Sequence, residues 1–195
     1  MATSRENKTL SLFKSTLLGG GARPNLFEVE LTTLPAGIEW EAEKFRYMCK
    51  AAALPASNIA QIDVPFRGRI FKVAGDRTFD VWQITVINDE DFKIRTAFEE
   101  WMAQISKLDN NMGATDPSAY MTNATVYQLG RGSQKASTSN DGSSNSVLIE
   151  YEFVDIFPSA ISSIDLSYDT SDAIEEFTVD FQVQSFNMVS GGPNG

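Results

Sequence analysis

The residues that could do chemistry are few and lie close together. In RGRIFKVAGDRTFDVWQITVINDEDF, residues 67–92, Asp76, Arg77 and Asp80 fall within five positions, and Trp82 follows. Two carboxylates and a guanidinium could act as acid, base and anion clamp. Acid–base work by paired carboxylates needs a spacing that sets them across a reacting bond, and neither Asp has such a partner. The alternation suggests something plainer. Ala74-Gly75-Asp76 reads as a tight turn between two strands, with Asp80 facing out and Phe79 and Val81 facing in. Ser11-x-x-Lys14 matches the S-x-x-K pattern of penicillin-binding enzymes, but the accompanying motifs are missing. Asn88–Asp91 lacks the alternating ligands of an EF-hand loop. Gly130-Arg131-Gly132 leads into a polar stretch and not a helix.

The chain has no His and one Cys. That removes Ser-His-Asp and Cys-His nucleophile systems, intramolecular disulfides and CxxC zinc sites. Cys49 sits among apolar residues and reads as a buried thiol. The expectation is a protein with no catalytic residues, no metal site and no cofactor, which works through its surfaces.

Period-two alternation dominates the elements that must position those surfaces. It sets Phe27, Val29 and Leu31 on one face and Glu28 and Glu30 on the other. Phe45, Tyr47 and Cys49 alternate in the same way, as do Ile62, Val64 and Phe66. Two strands surround Ala74-Gly75-Asp76. Further strands are expected at 123–131, at Val147–Phe157 and, shorter, at 160–169. In a closing strand, 173–186, Phe177, Val179, Phe181 and Val183 oppose Glu176, Thr178, Asp180, Gln182 and Gln184. One principal helix is expected over about 90–106, capped by Asn88 or Asp89. Its stripe of Ile94, Phe98, Trp101, Met102 and Ile105 belongs to a core.

The fold class is therefore mainly β, an antiparallel β-sandwich or barrel with one flanking α-helix. Residues 1–22 form an N-terminal arm, with a short amphipathic segment from Leu10 to Leu18. Residues 23–187 form a single β domain with a polar insert at about 133–146, expected to be mobile, and 188–195 form a flexible tail.

The 195 residues, 42% hydrophobic with 13 Phe, can bury one sizeable core. The formal charge is −10, from 26 acidic and 16 basic residues. Such a balance opposes wrapping nucleic acid but permits nucleic acid to pass without sticking. No apolar stretch has the length of a membrane span and no signal peptide is read, so a cytoplasmic chain without membrane binding is expected.

The blocks ARPNLFEVEL, CKAAALPASNI, VPFRGRIFKVAGDRTFDVWQITVINDED and FEEW, in this order and spacing, resemble the tail tube protein family of T4-like contractile-tailed phages. The resemblance covers 22–106 well and 122–186 more loosely. It implies the phage tail tube fold, with hexameric rings whose sheets join into one inner β-barrel and which stack into a hollow tube. It also implies the partners: further copies of the chain, tail sheath protein, baseplate tube-initiator proteins and tape-measure protein. DNA would pass through the lumen without specific binding. The implied location is the virion, with assembly in the host cytoplasm.

Under this resemblance 53–76 corresponds to the extended segment that stacks one ring on the next. Leu54, Pro55, Ile59, Ile62 and Phe66 are then interface apolar groups, and Arg67, Arg69 and Arg77 pair with acids across rings; packing within the subunit is the other reading. Glu176, Asp180, Gln182 and Gln184, followed by Glu150 and Glu152, are candidates to line an acidic lumen; a solvated outer face is the alternative. The inner tube of a protein-delivering contractile injection system, or a monomeric β-sandwich ligand-binding module, would share much of this pattern.

Overall fold

The computed structural model describes residues 10–17, 21–110, 112–130, 147–169 and 172–191. The polar insert expected at 133–146 and residues 192–195 lie outside them. Among the described residues there are nine strands: β1 Phe27–Glu30, β2 Cys49–Ala52, β3 Ser57–Phe66, β4 Arg69–Phe79, β5 Trp82–Ile87, β6 Thr122–Leu129, β7 Val147–Ile161, β8 Glu176–Gln182 and β9 Ser185–Gly191. Three α-helices join them: α1 Leu10–Thr16, α2 Ala42–Met48 and α3 Lys93–Ile105. Every pairing is antiparallel, in the order β1-β6-β7-β8-β5-β2, with β9 also on β7 and β3-β4 as a separate two-stranded ribbon. No described helix is long and apolar enough to cross a membrane.

β7 belongs to two layers. Its first half pairs with β6 and β9, its second half with β8. Two register shifts explain the bend. Between Ala124 and Thr122 one extra residue of β7 is accommodated, and Asp155 there adopts φ 55° with its N–H held by Asn123 Oδ1 at 3.1 Å. A second extra residue falls at Ser159, whose hydroxyl donates to the Asp180 carbonyl at 3.0 Å. Bulges of this kind kink and twist a strand, and here they carry β7 round the corner between the layers. The separate strand expected at 160–169 is thereby corrected. Ala160 and Ile161 end β7, and 162–167 have no regular structure.

The core lies between the layers. Val29, Val126 and Phe153 come from one side, Ile84, Val86, Phe177, Val179 and Phe181 from the other. α3 closes the space with Ile94, Ala97, Phe98 and Trp101 buried, while Met102 and Ile105 are half-buried. Trp101 is fully buried, and its indole N–H donates to the Tyr120 carbonyl at 2.6 Å. Phe98 meets Phe177 and Phe181 edge-on, and Trp82 stacks on Phe153 with centroids 4.3 Å apart. Offset and edge-on ring pairs add about 0.5–1.5 kcal/mol each beyond area burial.

Three further expectations change. Of the alternating run at 44–51, read as a strand, 44–48 belong to α2 and only the part from Cys49 is a strand, β2. AEKFRYM is rich in helix formers, so Phe45 is buried, Met48 packs half-buried against the core and Tyr47 is exposed. α3 starts at Lys93, and neither Asn88 nor Asp89 caps it. The residue before it, Phe92, takes φ 54°, Asp91 Oδ1 accepts from Lys93 N at 3.2 Å, and Asn88 is buried against Glu175. Residues 188–191, assigned to a flexible tail, pair with Ile149–Tyr151 as the end of β9, because the outer side of β7 offers unpaired backbone groups there.

Candidate functional site

The opening trio does not converge on a reaction centre. Ala74-Gly75-Asp76 is no turn: β4 runs through it, and the turn is Arg67-Gly68, at φ 46° and 80°. Positive φ at both central residues is what a two-residue hairpin loop needs to match strand twist. Gly75 instead sits at a register shift, where an added Cβ would lie 3.0 Å from the Ala60 carbonyl oxygen. Asp76 and Arg77 are exposed on β4. Asp80, also exposed, accepts from Asn58 Nδ2 at 2.8 Å. Val81, expected inside, is half exposed, since Asp80 and Val81 lie outside both strands and the alternation restarts with Trp82 in the core position.

The other motifs have structural roles. Ser11 and Lys14 lie on the exposed helix α1. Gly130 follows the end of β6 and is buried, and Arg131-Gly132 lie outside the described residues. Asp89 and Asp91 hold the Lys44 ammonium at 2.8 and 2.5 Å. These hydrogen bonds push both carboxyls below, and the amine above, their ordinary ranges. Burial pushes the Cys49 thiol up to about 12, so it stays protonated and unreactive. Among the described residues no group of three or more His, Cys, Asp or Glu could hold a metal ion.

What stands out is the β3–β4 hairpin. Nearly every one of its residues is exposed, Gly75 and Phe79 excepted. Cross-strand partners share a face, which sorts the ribbon into two. Val64–Phe71 and Ile62–Val73 lie on one face, with Phe66 beside Arg69. Asp63–Lys72, Ile59–Arg77 and Pro65–Ile70 lie on the other. A two-stranded ribbon alone is marginally stable in water. Its base is held by the ring of Phe79, 5.2 Å from that of Phe186.

The interface candidates Ile59, Ile62, Phe66, Arg67, Arg69 and Arg77 thus all lie on this ribbon, exposed, while Leu54 and Pro55 lie in the loop leading to it. Arg67 lies over the Phe66 ring at 5.3 Å. Sequence reasoning missed Val64, Ile70, Phe71 and Val73, although the alternation of β4 carried the signal.

The lumen candidates separate. Glu176, Asp180 and Gln182 lie on the outer face of β8, where Lys50 Nζ meets Glu176 at 2.5 Å and Gln83 Nε2 donates to Asp180 at 2.7 Å. Gln184 is exposed at the break between β8 and β9. Glu150 and Glu152 lie on the outer face of the other layer, opposite Tyr127 and Thr125, which in turn face Glu28 and Glu30. Tyr127 donates to Glu30 at 3.1 Å, and burial together with that carboxylate pushes its phenol up to about 12. One flat lumen wall cannot include both sets, because they occupy different layers.

The family model for phage tail tube proteins matches residues 22–189. The tail tube protein gp19 of Enterobacteria phage T4 is 34% identical over 161 residues, covering 83% of this chain and 88% of that protein. Among solved structures, a chain of the anti-feeding prophage baseplate superposes with a TM-score of 0.61 at 11% identity, over 87% of this chain and 96% of its own. A chain in the sheath/tube terminator structure of the PVC extracellular contractile injection system gives 0.56 at 13%, over 87% and 97%. Both show the fold; the family rests on the sequence matches. An antiparallel two-layer fold with a projecting apolar hairpin and no reaction centre among its described residues, matched over most of its length to tail tube sequences, belongs to the phage tail tube protein family.

Proposed function

We propose that this chain, a structural subunit of a phage tail tube, forms hexameric rings that stack through the β3–β4 hairpin, and that its role is architectural and not catalytic. The observation that carries the reading is the hairpin. It holds Ile62, Val64, Phe66, Phe71 and Val73 on one face, 41–66% exposed in the free subunit. A contiguous apolar patch of that kind marks a surface covered by another protein. Successive rings would cover it, and sheath, baseplate and tape-measure proteins would meet other surfaces of the tube. The polar face bearing Glu28, Glu30, Glu150 and Glu152 would line the lumen, repelling phosphates so that DNA slides through unbound. The test is negative-stain electron microscopy with light scattering on the purified chain, alone and with tail-tip complexes. Hollow tubes or six-membered rings support the reading. A chain that stays a monomer even with tail tips overturns it.

A further inference from the structure

Among the described residues several strand edges have no partner strand, and they are not equivalent. β1 and β2 are four residues each, with Glu28 and Glu30 on one and Lys50 on the other. The second half of β7 contains Pro158, which has no N–H to offer a new strand. β3 carries Pro65 one position from its tip. Phe66 and Arg69 close the two-residue loop, so the next pair, Pro65–Ile70, points its backbone groups outward, where the proline has no donor. Two long edges without proline remain: β4, eleven residues, and β9, seven residues with no charge in SFNMVSG. Edges of this type are ordinarily protected or paired.

We propose that the outer edge of β9 pairs antiparallel with the outer edge of β4 from a neighbouring copy, forming the seam between subunits of the ring. The seam rests on the ring reading above and specifies which strands make it. Three observations support it.

The first is the edges themselves. Among the described residues, β4 and β9 each keep one long edge with which no strand of the subunit pairs.

The second is apolar match. On β9, Met188 lies opposite Tyr151 and Phe186 opposite Phe153, on the side facing the core, yet Met188 is 59% exposed. The apolar face of β4, with Phe71 and Val73, would continue that surface beside Met188, and the joined face is the one that the next ring covers.

The third is charge. With the apolar sides aligned, Lys72 and Arg77 fall on the same side as Asn187, Glu150 and Glu152. The reverse alignment would set both cations on the apolar side. That orientation places two of the three β4 cations on the side of the carboxylates, with Arg69 at the hairpin tip on the apolar side.

The test is site-directed cross-linking in assembled tubes. A chain carrying Asn187→Cys is co-assembled with chains carrying one cysteine on the polar face (I70C, K72C or A74C) or on the apolar face (F71C or V73C). A disulfide requires Cα atoms about 4.4–6.8 Å apart. The seam gives a dimer band with a polar-face position and none with the apolar-face positions. Tubes that form without any such band, or that cross-link only to the apolar face, overturn the seam while leaving the tube reading intact. A wild-type chain that forms no ring or tube removes both. Hydrogen exchange on wild-type tubes gives a readout that needs no substitution. Amides of 185–191 and 69–79 slow at least tenfold on assembly if the seam is correct, and unchanged exchange at 185–191 overturns it.

Discussion

Replacing Phe66 and Phe71 together by Ser separates a role in assembly from a role in folding. The two rings are 65% and 66% exposed in the free subunit. Fully burying a Phe side chain stabilises by about 1.5–3 kcal/mol. Covering the bare two-thirds of both rings therefore contributes ~2–4 kcal/mol per hairpin. The proposed hexameric ring would present one hairpin per subunit, so stacking would lose ~12–24 kcal/mol per ring in the double variant. That is enough to abolish tubes at any practical concentration. The fold itself has little at stake, because exposed substitutions usually change stability by no more than ~0.5 kcal/mol each. For a chain of this size the expected Tm change is within about 4 °C. The assay pairs thermal unfolding of the subunit with electron microscopy and sedimentation of the assembly. Normal tubes from the double variant would refute the reasoning. So would a fall in Tm beyond about 8 °C, which would place these rings inside the subunit's own packing.

Trp101→Ala should cost about 3–5 kcal/mol in urea unfolding, since the indole is fully buried and its N–H bonds the Tyr120 carbonyl. Cys49 should stay inert to a thiol reagent at pH 8 and react only at the rate of unfolding, because burial holds it protonated; rapid native-state labelling would contradict its placement. Tyr127 should make stability fall between pH 10 and 12. The unfolded phenol ionises near 10 while the folded one retains its proton to about 12, so the contribution is complete below 10 and lost as pH rises through 12. Tyr127→Phe should remove that slope from alkaline unfolding curves. Gly68→Val places a β-branched residue at φ 80°, which should loosen the hairpin tip and speed amide exchange there without moving Tm.

The resemblance and the alternation carried the fold class, and α3 was legible because Ile94, Phe98 and Trp101 recur at helical spacing. Errors arose where a local pattern fitted two structures. Phe45, Tyr47 and Cys49 alternate as a strand would, yet the Ala, Glu, Lys, Arg and Met around them suit a helix, and buried Phe45 with half-buried Met48 docks its seven residues. Gly75 beside Asp76 has turn chemistry, but Arg67-Gly68 took the turn and Gly75 was needed for its closeness to Ala60. Glu150 and Glu176 alternate alike in sequence. Only the bend in β7 puts them on different layers, and that bend depends on bulges that no residue pattern announces.

The sequence by itself determined the local chemistry: a β-rich chain with one core, a net acidic surface, no histidine, and alternating strands with one polar and one apolar face. Those properties follow from residue type and period, which act over a few positions. The tertiary structure alone decided which apolar faces would remain uncovered. Val29 and Val64 sit in equally alternating segments, yet one is fully buried and the other 44% exposed. The difference comes from where β5 and β8 part company beyond Trp82 and Phe181. One strand continues into β9 along β7, the other leaves as the free hairpin. Burial depends on what a distant segment places opposite a residue, and strand pairing settles that only when the whole chain has folded.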